Sequence, residues 1–238
     1  MRWAVLLPII FLAACQPADQ TSDRPASSLE FPLPDRPVSK VTSNQFSNED
    51  ARDSRGEAQK VMDLANISDG MTVADIGAGE GYYTVRLAAR VGADGRVLAQ
   101  DIDREALERL GSRVERERLD NVSIKLGEPD NPQLPVDSFD RIFLVHMYHE
   151  VTEPYAFLWR LWPALAQRGQ VIVVDTDRPT DRHGIPPLLL VCEFEAVGYR
   201  LVEFVEKPDI RGYFARFEPD EERRDPGDIV PCSTRQEG

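Results

Sequence analysis

The run Val73-Ala74-Asp75-Ile76-Gly77-Ala78-Gly79-Glu80-Gly81-Tyr82-Tyr83 decides how this chain folds. Thr72–Ile76 reads as a short buried strand. Three glycines at alternate positions follow it. From Glu80 to Val91 the apolar residues Val85, Leu87, Ala88 and Val91 recur at helical spacing. A strand therefore enters a glycine turn and leaves it as a helix. Side chains at those glycines would obstruct both a sharp bend and the close approach of a ligand. In open α/β sheets, ligands bind outside the carboxyl ends of the strands.

The same alternation extends outward from this run. On the N-terminal side, Asn48 or Asp50 is placed to cap a helix through Ala65, with Ala58, Val61, Met62 and Ala65 as its apolar stripe. On the other side the sequence predicts strands over Arg96–Asp101, Asn121–Leu126, Phe139–His146 and Gln170–Asp175. Helices are expected over Arg104–Arg118, Glu153–Ala166 (stopped by Gly169) and Leu188–Val197 (stopped by Gly198). Tyr199–Glu206 and Gly212–Glu218 read as two closing strands. Strands alternating with helices predict an α/β fold with a doubly wound, mostly parallel sheet.

Glycine spacing separates two ligand classes. A dinucleotide turn is G-x-G-x-x-G, with the third glycine three places after the second. Here the order is Asp75-x-Gly77-x-Gly79-x-Gly81, which disfavours a nicotinamide oxidoreductase. This pattern resembles the first motif of the class I S-adenosylmethionine (SAM)-dependent methyltransferases. Asp137-Ser138-Phe139-Asp140 opens a strand as that family's fourth motif does, and Ala164–Val174 resembles the unit before its fifth strand. Gln167-Arg168-Gly169-Gln170 departs from the family's Lys-Pro-Gly-Gly. The likeness spans about residues 50–218 and is nearest to a branch of small-molecule methyltransferases distantly related to quinone-biosynthesis enzymes.

The resemblance implies a seven-stranded sheet with antiparallel closing strands, SAM as cofactor and a small-molecule acceptor. Gly77, Gly79 and Gly81 would cradle the cofactor, with Asp75 toward its ammonium and Arg55 toward its carboxylate. Asp101, 24 residues past Gly77 at a strand end, would accept from the ribose hydroxyls, and Glu128 would meet the adenine. Tyr82 and Tyr83 could wall the sulfonium by cation–π contact or simply pack in the core.

Methyl transfer needs mainly alignment, since a sulfonium is already a good leaving group. A hydroxyl or acidic carbon acceptor also needs a base. His149, in the run His146-Met147-Tyr148-His149-Glu150 after a strand, is the candidate. His146 and His149 lack an evident further ligand, so no metal is expected. Asp175, Asp177 and His183 either face the acceptor or sit in a solvated loop.

The 238-residue chain holds 28 basic and 41 acidic residues, a formal net charge of -13. So acidic a surface repels phosphate backbones and argues against a nucleic-acid partner. Arg2, the apolar run Trp3–Ala14 and the ending Leu12-Ala13-Ala14-Cys15 describe a secretory signal too short to span a bilayer. That ending resembles the bacterial lipoprotein box, which implies lipidation at Cys15 and anchoring to a membrane in the cell envelope. Gln16 after the cysteine implies outer-membrane retention, facing the periplasm; an unused signal would leave the chain cytoplasmic. Residues 1–15 are thus read as signal and lipobox, 16–48 as a disordered tether, 49–218 as the methyltransferase domain and 219–238 as a flexible tail. An exported location permits a bond between Cys192 and Cys232, although sequence leaves open whether they meet. Export also puts the domain away from cytoplasmic SAM, which keeps a second reading alive: a non-catalytic envelope lipoprotein using the fold as a binding module.

Overall fold

The computed structural model describes residues 24–40 and 48–233. Seven strands form one sheet: β1 (Thr72–Ile76), β2 (Arg96–Asp101), β3 (Val122–Leu126), β4 (Phe139–Val145), β5 (Leu165–Asp175), β6 (Tyr199–Lys207) and β7 (Gly212–Pro219). Their order is β3-β2-β1-β4-β5-β7-β6. β1 to β5 are parallel, and β7 runs antiparallel between β5 and β6. The expected fold class is the one found. Strand order reverses at β1, whose neighbours are β2 and β4, so the ligand crevice falls at the mouth of β1 and β4.

Among the described residues, six α-helices flank the sheet: α1 (Glu49–Ser54), α2 (Glu57–Leu64), α3 (Tyr82–Val91), α4 (Arg104–Glu117), α5 (Pro154–Leu161) and α6 (Pro187–Val197). Successive residues of a strand face opposite sides. In β4, Ile142 and Leu144 join Tyr155, Leu158 and Phe194 of α5 and α6 in one core. Phe143 joins Val61 and Leu87 of α2 and α3 in the other. Such two-sided burial is why the central strands read as continuous apolar runs.

Local departures from the sequence reading have local causes. The helix expected from Asn48 to Ala65 is broken at Gly56, which adopts φ 62° and separates α1 from α2. Asn48 does cap it, accepting from the Ala51 amide at 3.1 Å. The helix expected through Ala166 ends at Leu161, because Trp162-Pro163-Ala164 tightens into a 3₁₀ turn. The chain then passes straight into β5, with Gly169 inside the strand. A Cβ there would lie 2.6 Å from the Phe139 carbonyl oxygen, beside a register shift in the β4–β5 pairing.

Two larger corrections concern the segments flanking the domain. Residues 24–40, read as tether, form a strap packed on it. Arg24 pairs with Glu153 at 2.6 Å, and Ser27 and Ser28 each donate to Asp130 at 2.7 Å. Phe31 is buried and meets the Trp159 ring edge-on. Arg36 pairs with Glu193 of α6 at 2.7 Å, both side chains fully inaccessible. Residues 219–233, read as flexible tail, return to the same side. Ile229 and Cys232 are buried, and Cys232 is disulfide-bonded to Cys192 of α6. Asp35 of the strap and Ser233 of the tail form a parallel bridge. The signal and Cys15 lie outside the described residues. Among the described residues, no helix is long and apolar enough to cross a membrane.

Candidate functional site

A cavity of about 660 Å³ opens at the carboxyl ends of β1, β2 and β4. The glycine turn forms its floor. The amides of Gly77 and Ala78 donate to the Gln100 carbonyl at 2.8 and 3.0 Å, which ties the turn to β2. Gly77, Gly79 and Gly81 have φ of 70°, 55° and 87°. A side chain at any of them would be strained.

Asp101 ends β2 at the cavity rim. Its carboxylate accepts from the Gly79 amide at 2.8 Å and from the Asp103 amide at 2.9 Å. Each oxygen keeps a further acceptor site. The two amides fix its direction while leaving it able to bind hydroxyls. Ile102, 40% exposed, and Glu128 line the wall nearby.

Other predicted residues fall elsewhere. Asp75 is buried behind the turn, off the cavity wall, and accepts from the Thr84 hydroxyl at 2.6 Å. Burial pushes its carboxyl up to about 6, against the pull of the Thr84 bond. Gly81 is also off the wall; a Cβ there would collide with Leu110 of α4, so this glycine serves close helix packing. Tyr82 reaches the cavity, but its ring carries the guanidiniums of Arg52 and Arg86, each 3.9 Å from the centroid. Its π face is committed to the chain's own cations rather than to a sulfonium. Tyr83 is buried, donating to Glu57 at 3.3 Å.

Beside Tyr82, Glu57 is 1% exposed and pairs with Arg52 at 2.5 Å. Burial would raise its carboxyl, yet hydrogen bonds from His146 and Arg52 hold it at about 2. Arg55 follows the α1–α2 break onto the cavity wall. Its Nε is buried without a hydrogen-bond partner among the described residues.

The opposite wall is built by the loop after β4. His149 is 3% exposed, and its Nδ1–H donates to Asp175, which ends β5 and is fully buried. The contact is 2.9 Å, and the Thr176 amide also donates to Asp175 at 2.7 Å. Nδ1 is thereby the protonated nitrogen, and Nε2 carries the lone pair. Arg36 of the strap donates to the carbonyls of His149 and Val151, both at 3.4 Å. Arg178, Arg182 and Arg211 complete this end.

Sequence reasoning singled out His149 and, separately, Asp175, but did not join them. The signal was present: β4 and β5 are parallel neighbours with Val145 opposite Val174, so the residues just beyond both strands must share one edge. His146, considered with His149 as a metal pair, turns instead toward Glu57 at 3.5 Å.

The methyltransferase-domain family model matches residues 67–193, and the chain belongs to that family. Among curated relatives, the ubiquinone/menaquinone biosynthesis C-methyltransferases of Idiomarina loihiensis and Methylococcus capsulatus are similar to it. They are 29% identical over 120 residues and 34% over 116, covering 50% and 48% of this chain. The chain spans about half the length of these relatives, 47% and 46%. A solved SAM-dependent methyltransferase of Aquifex aeolicus superposes with a TM-score of 0.64 at 25% identity, covering 68% of this chain and 88% of that one. The [4+2]-cyclase SpnF shares the fold alone, with a TM-score of 0.62 at 13% identity over 79% of this chain and 89% of its own.

Proposed function

We propose that this protein transfers the methyl group of SAM to an oxygen or an acidic carbon of a small molecule. The observation that carries the reading is the pairing of two fixed groups across one cavity: the Asp101 carboxylate at the turn and the His149–Asp175 pair opposite. The cavity residues suit the cofactor. Arg55 lines the wall with its guanidinium 3.7 Å from Glu57, and a methionine carboxylate would give it a second anionic partner. Asp101 offers the acceptors that ribose hydroxyls require, and Ile102 and Glu128 offer an apolar face and an acceptor for adenine. SAM supplies an electrophilic methyl on a positively charged sulfur.

The chain's residues do the rest. Glycines 77 and 79 keep the floor bare. Asp175 holds the imidazole with Nε2 toward the cavity, where it can take the acceptor's proton, and it stabilises the imidazolium that results. Arg178, Arg182 and Arg211 favour an acceptor carrying negative charge. Asp75, Gly81 and Tyr82 support the turn without touching the cofactor.

The chain's place in the cell is also a proposal: export and lipidation at Cys15, facing the periplasm. The lipobox-like ending supports it, and so does the Cys192–Cys232 bond, since disulfides persist in oxidising compartments. Cell fractionation with a lipid label, comparing wild type with Cys15→Ala, tests it; label retained in the variant would refute it.

Calorimetry with S-adenosylhomocysteine tests the enzymatic reading. One site per chain is expected, weakened at least tenfold by Asp101→Ala. No binding, or binding indifferent to that change, overturns it.

A further inference from the structure

At the acceptor end of the cavity, three groups from two loops converge. The His149 Nε2 lies 3.9 Å from Glu150 Oε1, and the His183 Nδ1 lies 3.7 Å from that same oxygen. All three ligand atoms fall within 4.8 Å of one another. Both separations from Glu150 are ion-pair contacts longer than a hydrogen bond, and the two imidazole rings meet edge to face at 5.6 Å. Ligands bound at about 2.0–2.2 Å sit roughly 3.0–3.5 Å apart, so an ion would draw the Glu150 oxygen about half an ångström closer to each imidazole, and the two imidazole nitrogens, within 4.8 Å of each other, together by up to about an ångström or more.

Two further features suit a metal site. His149 donates its other ring nitrogen to the buried Asp175, the carboxylate–histidine arrangement that fixes the tautomer and raises ligand basicity. The cluster also faces the cavity, so an ion held there keeps open positions toward a small molecule.

We propose that His149, Glu150 and His183 bind one divalent transition-metal ion, with the acceptor's oxygen completing its coordination. Two imidazoles and a carboxylate select zinc, iron(II), cobalt or manganese over calcium or magnesium. The proposal rests on the methyltransferase reading and deepens it: the acceptor class becomes a hydroxyl compound that can ligate a metal. The ion takes the Nε2 lone pair otherwise available to a proton, and acidifies the bound hydroxyl instead. That hydroxyl's proton leaves to water. The oxygen's electron pair forms the bond to the methyl carbon as the carbon–sulfur bond breaks, and the departing pair stays on sulfur.

The test uses the full chain, disulfide intact and stripped with a chelator. Cobalt(II) is titrated while its visible absorption is followed, zinc(II) then displaces it, and S-adenosylhomocysteine binding is measured separately on the same stripped sample. The expected result is one cobalt per chain with ligand-field bands in the visible, released stoichiometrically by zinc. His183→Ala and Glu150→Gln should each weaken binding tenfold or more while the melting temperature and S-adenosylhomocysteine binding hold. Absence of a stoichiometric cobalt site, or a site unaffected by both variants, overturns the metal proposal and leaves the cofactor reading standing. Loss of S-adenosylhomocysteine binding in the wild type would instead defeat the cofactor reading.

Discussion

Arg36 and Glu193, 157 residues apart in sequence, form an ion pair from which solvent is fully excluded. Tyr148 donates to the same carboxylate at 2.8 Å. Arg36 also spans to the carbonyl of His149, so the strap, α6 and the candidate base are joined through one guanidinium. Removing one partner of a buried pair leaves the other charge uncompensated, at a cost of about 3–5 kcal/mol. Arg36→Ala should therefore lower the melting temperature sharply. Arg36→Met with Glu193→Leu should recover part of that stability, less the cost of the Tyr148 hydroxyl left without its acceptor, but not the methyl-transfer rate, because the His149 loop still lacks its donor. Thermal unfolding and turnover, measured on both variants, check the two halves separately.

Asp75 gives a pH signature. Its folded value of about 6 lies above the 3.8 of an exposed aspartate. The folded state thus binds the proton more tightly than the unfolded one. The stability this proton brings is fully present below pH 3.8 and is lost as pH rises through about 6. Above that the buried charge costs on the order of 2–3 kcal/mol. Asp75→Asn should raise the melting temperature at pH 8 and leave it nearly unchanged at pH 4, with S-adenosylhomocysteine affinity held. An affinity loss would instead place Asp75 against the cofactor.

Asp175→Asn tests the imidazole's orientation. The amide can donate to Nδ1 and so favour the wrong tautomer. Turnover should fall by about a hundredfold or more, with cofactor affinity unchanged by calorimetry. An equal fall in both would point to a collapsed wall.

How much of this was legible in advance depended on distance along the chain. The glycine turn and Asp101 were readable because a strand, a turn and a helix are local events with their own periodicity. His149 was readable from its place at a strand end. The strap was not: its contacts are single polar or aromatic anchors, such as Arg24 to Glu153 and Phe31 to Trp159, and none leaves a period. Proline and serine at such spacing look the same in a tether and in a segment pinned at intervals. The choice left open at Tyr82, sulfonium wall or core packing, was illegible for a related reason. Whether an aromatic face is vacant depends on Arg52 and Arg86, and sequence does not show where guanidiniums come to rest.

The Cys192–Cys232 bond closes a loop of 40 residues. By the chain-entropy account, a loop of that length stabilises by about 3–4 kcal/mol. Cys232→Ser should lower the melting temperature by roughly 6–16 °C, and a reductant should do the same to the wild type but not to the variant. Differential scanning calorimetry with and without dithiothreitol distinguishes the cases.

The seat of β7 between β5 and β6 bears on how the chain is made. One flank of β5 stays bare until a strand 40-odd positions downstream has been synthesised. An unfinished chain cannot seal its sheet, and a version cut before Gly212 would present that open edge to its neighbours and clump.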